Sequence, residues 1–144
     1  MASGEISSAS HILVAEDDEN DFFLLCRAFQ KAGLRHKLIH ARDGQEAINY
    51  LSAMASQDGN DAKLKLFLLD LKMPLVDGFD VLLWLRARPE PICVPVVVLS
   101  SSSLPDDKNR AKELGANDYL AKPTGPDDLM TLVKGLDDRW LKED

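Results

Sequence analysis

The sequence predicts an α/β sandwich in which one parallel sheet of five strands is covered by helices on both faces. Short apolar runs at residues 12–15, 66–69, 96–99 and 119–121 lack strict alternation, the pattern of strands buried on both sides. Segments with apolar residues at helical spacing separate them, and right-handed crossovers then favour a single doubly wound sheet. A third observation concerns where the runs end. Glu16-Asp17-Asp18 closes the first, Asp70 the second, Ser100 the third and Lys122-Pro123 the fourth. Residues just past the carboxyl ends of strands in such a sheet meet in one crevice, so carboxylates, a hydroxyl and an ammonium far apart in sequence come together.

The elements follow in order. Residues 1–10 are small and polar and are expected to form a disordered N-terminal tail. The first strand takes residues 11–16. Asp18 or Asn20 is a good cap for a helix carrying Phe22, Leu25, Cys26 and Phe29, and Gly33 ends it. Residues 37–41 read as a second strand whose polar members suit a sheet edge. Asp43-Gly44 turns the chain into a helix through Ala47, Ile48, Leu51 and Met54, and residues 57–63 form a loop without an apolar anchor.

After the third strand, Met73-Pro74 and Asp77-Gly78 mark a tight connection into a helix over residues 79–86, which Pro89 and Pro91 stop. The fourth strand follows Pro95. Ser102 or Ser103 with Pro105 opens a mostly polar helix that Gly115 closes. The fifth strand is short, and the last helix begins beyond Gly125-Pro126 with Asp127 and Asp128 in its first turn. One domain over residues 11–138 is expected, with residues 139–144 as a C-terminal tail. Trp140 and Leu141 in that tail either pair with a second copy, giving a homodimer, or fold back onto the core.

Composition narrows the function. The 144 residues suffice for one core without metal or disulfide staples. A net charge of −7, without a dense basic stretch, argues against direct nucleic-acid binding. Cys26 and Cys93 lack metal-ligand spacing and read as reduced, buried thiols. No apolar run is long enough to span a bilayer and the first residues are too polar for a signal peptide, so a cytoplasmic protein is expected.

The crevice itself suggests phosphoryl chemistry. Glu16, Asp17 and Asp70 repel one another unless something positive joins them, and Mg²⁺ takes one or two carboxylates, waters and phosphate oxygens readily. Lys122 adds a positive charge and Ser100 a hydroxyl donor, with Asp70 as the nucleophile forming an acyl phosphate. Each residue alone has an ordinary role as a cap or turn former. Their joint occurrence in this strand order carries the reading.

These motifs resemble the response-regulator receiver domain, the phosphoacceptor of two-component signalling, over about residues 12–133. The resemblance rests on Glu16-Asp17, on Asp70 with Met73-Pro74 and Asp77-Gly78, on Ser100, and on Tyr119 with Lys122-Pro123. It implies a flavodoxin-like (βα)5 three-layer sandwich with strand order 2-1-3-4-5. It implies that Asp70 accepts phosphate from a sensor histidine kinase. Asp17, Asp70 and the Lys72 carbonyl would hold Mg²⁺, with Glu16 acting through water. Ser100 and Lys122 would bind phosphoryl oxygens, and the Lys122–Pro123 bond would be cis. Ser100 and Tyr119 would form the switch that biases the face made by the fourth helix, fifth strand and fifth helix.

Two departures stand out: Glu16 where many members have Asp, and Lys72, a cation two residues past the nucleophile. The polar loop and the tail resemble stand-alone receivers that serve phytochrome-like kinases. Output would pass to a downstream protein, or to a histidine phosphotransfer protein as a relay intermediate, or the chain would be a phosphate sink. Other classes fit less well. Haloacid-dehalogenase-type hydrolases place a second Asp where Lys72 stands, and a flavodoxin-like electron carrier would need a phosphate-cradling loop where residues 16–19 are all acidic. A pseudo-receiver used only for protein contact would not require the acceptor set.

Overall fold

In the computed structural model, which describes residues 10–56 and 64–142, five strands alternate with five helices. The strands are β1 (His11–Ala15), β2 (Lys37–Ala41), β3 (Leu64–Leu69), β4 (Val96–Ser100) and β5 (Asp118–Ala121). All pair in parallel, in the order β2-β1-β3-β4-β5, so the polar second strand does lie at an edge. The helices are α1 (Glu19–Lys31), α2 (Gly44–Ala55), α3 (Gly78–Ala87), α4 (Pro105–Glu113) and α5 (Pro126–Leu136). The expected tail before Ser10 and the expected loop at residues 57–63 lie outside the described residues.

Strand periodicity divides the apolar residues between two cores. Leu13, Phe67, Leu69 and Val98 face α2 and α3 with Leu51, Val81 and Leu82. Ile12, Val14, Leu66, Leu68 and Val97 face the opposite way, against Leu25 and Phe29 of α1 and Val133 and Leu136 of α5. Both sets are almost fully buried, and each such side chain contributes about 2 kcal/mol on leaving water.

Local chemistry starts the helices where the crevice needs them. Asp18 caps α1 by accepting from the amides of Asn20 and Asp21, and Asp43 caps α2 through the Glu46 amide. Asp77 and Asp80 form a reciprocal capping box on α3. Two glycines are required by close approach. A Cβ on Gly78 would stand 2.5 Å from the Asp70 carbonyl oxygen, and one on Gly44 would strike the Val76 carbonyl, which accepts the Gly44 amide at 3.0 Å. Between them Leu75 adopts a left-handed backbone (φ 65°) with its side chain 89% exposed.

Two local expectations need correcting. The cap position of α4 is Leu104 rather than Ser102 or Ser103, because Pro105 occupies the first helical position. Neither thiol is fully buried: Cys26 is half-buried on α1, and Cys93 is exposed in the loop before β4. Burial still pushes the Cys26 thiol up. At the C-terminus α5 runs into one π-helical turn, Asp137–Leu141, and Leu141 is buried in the core shared by α1 and α5. The fold-back alternative therefore describes Leu141. Among the described residues no helix is long and apolar enough to cross a membrane.

Candidate functional site

The acidic crevice opens where β1, β3, β4 and β5 end. Asp70 follows β3 directly, and its amide donates to the Ala15 carbonyl at 3.1 Å, which fixes it beside the end of β1. Glu16 is fixed in the same way through the Ala41 carbonyl of β2 at 3.0 Å. His40 Nε2 donates to the Glu16 carbonyl at 2.7 Å while its ring stacks on Phe22 of α1. Backbone pairing thus sets both acids before any side chain is considered. Both are buried, whereas Asp17 is exposed at the rim. One oxygen from each of Glu16, Asp17 and Asp70 lies within 4.8 Å of the others.

Lys122 reaches into this acidic group from the end of β5. Its Nζ stands 2.8 Å from Glu16 Oε1, 3.1 Å from Asp70 Oδ2 and 3.6 Å from Asp21 Oδ2. Asp70 Oδ1 accepts from the Lys72 amide at 3.3 Å, and Glu16 Oε2 from the Asp18 amide at 3.1 Å. Burial dominates the acids: it raises the pKa of Asp70 and of Glu16, although Lys122 and these backbone amides pull the other way. For Lys122 burial acts to lower the pKa, but the hydrogen bonds and charges of Glu16 and Asp70 outweigh it and raise the amine above its ordinary value.

Ser100 ends β4 fully buried. Its Oγ accepts from the Ser102 amide at 3.0 Å, and its carbonyl accepts from the Lys122 amide at 3.0 Å. Tyr119 is buried as well, with its hydroxyl donating to the Ser102 carbonyl at 2.9 Å. The expected cis bond between Lys122 and Pro123 is absent, and the bond is trans. Trans is the intrinsically preferred isomer of an X–Pro bond. With it, Lys122 already closes the β4–β5 ladder through its amide and reaches Asp70 through its side chain.

Several residues at the site were not singled out by sequence reasoning. Asp21 meets Lys122 from the first turn of α1, and the acidic stretch preceding it was the available signal. Ser102 and Asp107 bond to each other at 2.6 Å across the β4–α4 connection. Nothing periodic marks such a pair. Beside the crevice a cleft of about 510 Å³ runs between α1 and α5, past Phe22, Leu25, Leu129 and Met130.

Hard oxygen donors this close suit a divalent cation with retained waters, and Lys122 alone does not offset three carboxylates. The residues present therefore fit a metal, and an acidic metal site is part of this crevice. A parallel sheet with an acidic metal site and a lysine at its carboxyl edge points to a signalling module rather than a classical enzyme.

Comparison with known proteins agrees. The response regulator receiver domain model matches residues 12–134, and the chain belongs to that family. It is 34% identical to the "Probable methanogenesis regulatory protein FilR2" of Methanothrix harundinacea, over 98% of this chain and 92% of that protein. It is also 34% identical to response regulator Rcp1 of Synechocystis sp., over 97% and 95% of the two chains. The crystal structure of the phosphorylated cyanobacterial phytochrome response regulator RcpA superposes with a TM-score of 0.80 at 34% identity, covering 93% of this chain and 95% of that one. A further structure shows Rcp1 with Mn²⁺ bound (TM-score 0.78, 34% identity, 94% and 96% covered).

Proposed function

We propose that the chain is a stand-alone response regulator in which Asp70 accepts a phosphoryl group from a histidine kinase in a Mg²⁺-dependent reaction. The observation that carries this is the convergence of Glu16, Asp17 and Asp70 within 4.8 Å, with the Lys122 ammonium 3.1 Å from Asp70 Oδ2. Asp17, Asp70 and the Lys72 carbonyl would hold the ion, with Glu16 acting through water. When bound, Mg²⁺ neutralises negative charge on the phosphoryl oxygens.

The chain's own residues do the rest. An Asp70 carboxylate oxygen attacks phosphorus, the P–N bond of the phosphohistidine breaks, and the imidazole leaves with that electron pair and takes up a proton. Lys122 offsets the charge that builds on the transferred group, and Ser100 donates its hydroxyl proton to a phosphoryl oxygen. Most of this catalysis is positioning, and the backbone pairings of Asp70 and Glu16 supply it. Ser100 and Tyr119 would pass the new charge to the face made by α4, β5 and α5, where a protein partner reads it.

Similarity to Rcp1 and RcpA supports a phytochrome-like sensor kinase as the phosphodonor and a cytoplasmic setting. Incubation with acetyl phosphate, followed by intact mass, tests the reading. The chain is expected to gain one phosphoryl group with Mg²⁺ present and none with EDTA, and Asp70→Asn to gain none. Modification without metal, or of the Asp70→Asn chain, would overturn it.

A further inference from the structure

The connection between β4 and α4 turns on Ser102, which is 8% exposed and uses each of its polar groups on a different element. Its amide donates to Ser100 Oγ at 3.0 Å, at the end of β4. Its carbonyl accepts the Tyr119 hydroxyl at 2.9 Å, from β5. Its own hydroxyl donates to Asp107 Oδ2 at 2.6 Å, in the first turn of α4, and accepts from the Leu104 amide at 3.3 Å. Leu104 has no side-chain oxygen with which to cap α4, so Ser102 and Asp107 tie down that helix end instead.

The consequence for Ser100 follows from its donor and acceptor inventory. A serine hydroxyl has one proton and two lone pairs. The Ser102 amide takes a lone pair, which leaves the proton free to be donated. A phosphoryl oxygen on Asp70 requires that donor. The same loop geometry aims the Ser102 carbonyl at Tyr119 and keeps that ring buried. The bond that holds the loop is the one to Asp107: a hydroxyl on a carboxylate at 2.6 Å is charge-assisted and stronger than a neutral pair.

We propose that Ser102 is a positioning residue: locked to Asp107, it presets Ser100 as a donor before a phosphoryl group arrives. The proposal rests on Asp70 being the phosphoacceptor. It goes beyond that reading by assigning the preset to a side chain outside the acidic crevice. A plain helix cap would fix α4 and leave Ser100 indifferent. A preset donor makes phosphoryl binding depend on a hydroxyl that never touches the ligand.

The test uses the full chain and two titrations by calorimetry, Mg²⁺ alone and then beryllofluoride at saturating Mg²⁺. Ser102→Ala and Asp107→Asn are each expected to weaken beryllofluoride binding about fivefold, the value of one modest hydrogen bond. Ser102→Ala should leave Mg²⁺ affinity as in the native chain, because the acids that would take the ion are untouched. Ser102→Thr, which keeps the hydroxyl, should restore native beryllofluoride binding. Native-like beryllofluoride affinity in both Ser102→Ala and Asp107→Asn would overturn the proposal. So would a parallel fall in Mg²⁺ and beryllofluoride affinity in Ser102→Ala, which would mean general loosening. Failure of the native chain itself to bind beryllofluoride would strike the phosphoacceptor reading, and is distinct because it precedes any substitution.

Discussion

The Lys122 ammonium lies 3.1 Å from Asp70 Oδ2, although 52 residues separate the two in sequence. The Asp70 side chain is only 6% exposed, and Glu16 shares the same cation at 2.8 Å. Lys122→Met leaves two buried carboxylates facing each other. Breaking a buried pair costs 3–5 kcal/mol, and partial solvent access to the lysine (its side chain is 23% exposed) reduces this to about 2 kcal/mol. Urea unfolding in EDTA should show that loss, and Mg²⁺ should recover part of it.

Burial raises Asp70 above its ordinary value of 3.8, which gives the metal-free protein an unusual pH response. Between the unfolded and folded pKa values the folded state binds the proton and the unfolded state does not. Stability therefore falls as pH rises through that window and recovers as pH falls. Asp70→Asn removes the titration. In EDTA it should be more stable than the native chain at neutral pH, with the gap closing toward pH 4. Urea midpoints across this range check the sign; a gap that widens in acid would contradict it.

Gly78 leaves no room for a methyl group, which would stand 2.5 Å from the Asp70 carbonyl and 2.7 Å from Leu71 Cα. Gly78→Ala should cost about 2 kcal/mol, as overpacking does, and should also slow modification by acetyl phosphate, because it displaces the backbone of Asp70, the proposed acceptor. Denaturant midpoints and initial rates measure the two effects separately.

Leu75 has the opposite problem. Its left-handed backbone costs a β-carbon-bearing residue roughly 1 kcal/mol, and an exposed side chain recovers nothing by packing. Leu75→Gly should therefore raise stability by about that amount, read as a higher urea midpoint. Unchanged or lowered stability would show that Leu75 makes up its strain elsewhere.

Much of this architecture was legible in advance, for definite reasons. Strands buried on both faces must be apolar throughout, so the runs ending at Ala15, Leu69 and Leu99 announced a parallel sheet, and sheet geometry then gathered Glu16, Asp17, Asp70 and Lys122. Contacts without a repeating pattern stayed hidden. A bond from Ser102 to Asp107 depends on how one loop is bent. Trp140-Leu141 is an apolar step too short to tell folding back from pairing with a second copy, and the buried place of Leu141 in the core decides it for that residue.

The sheet itself is a partition. Leu13 and Ile12 are adjacent in the chain yet belong to separate apolar compartments, one against α2 and α3 and the other against α1 and α5. A void opened on one side cannot be filled by side chains from the other. Repacking can therefore proceed on each side independently.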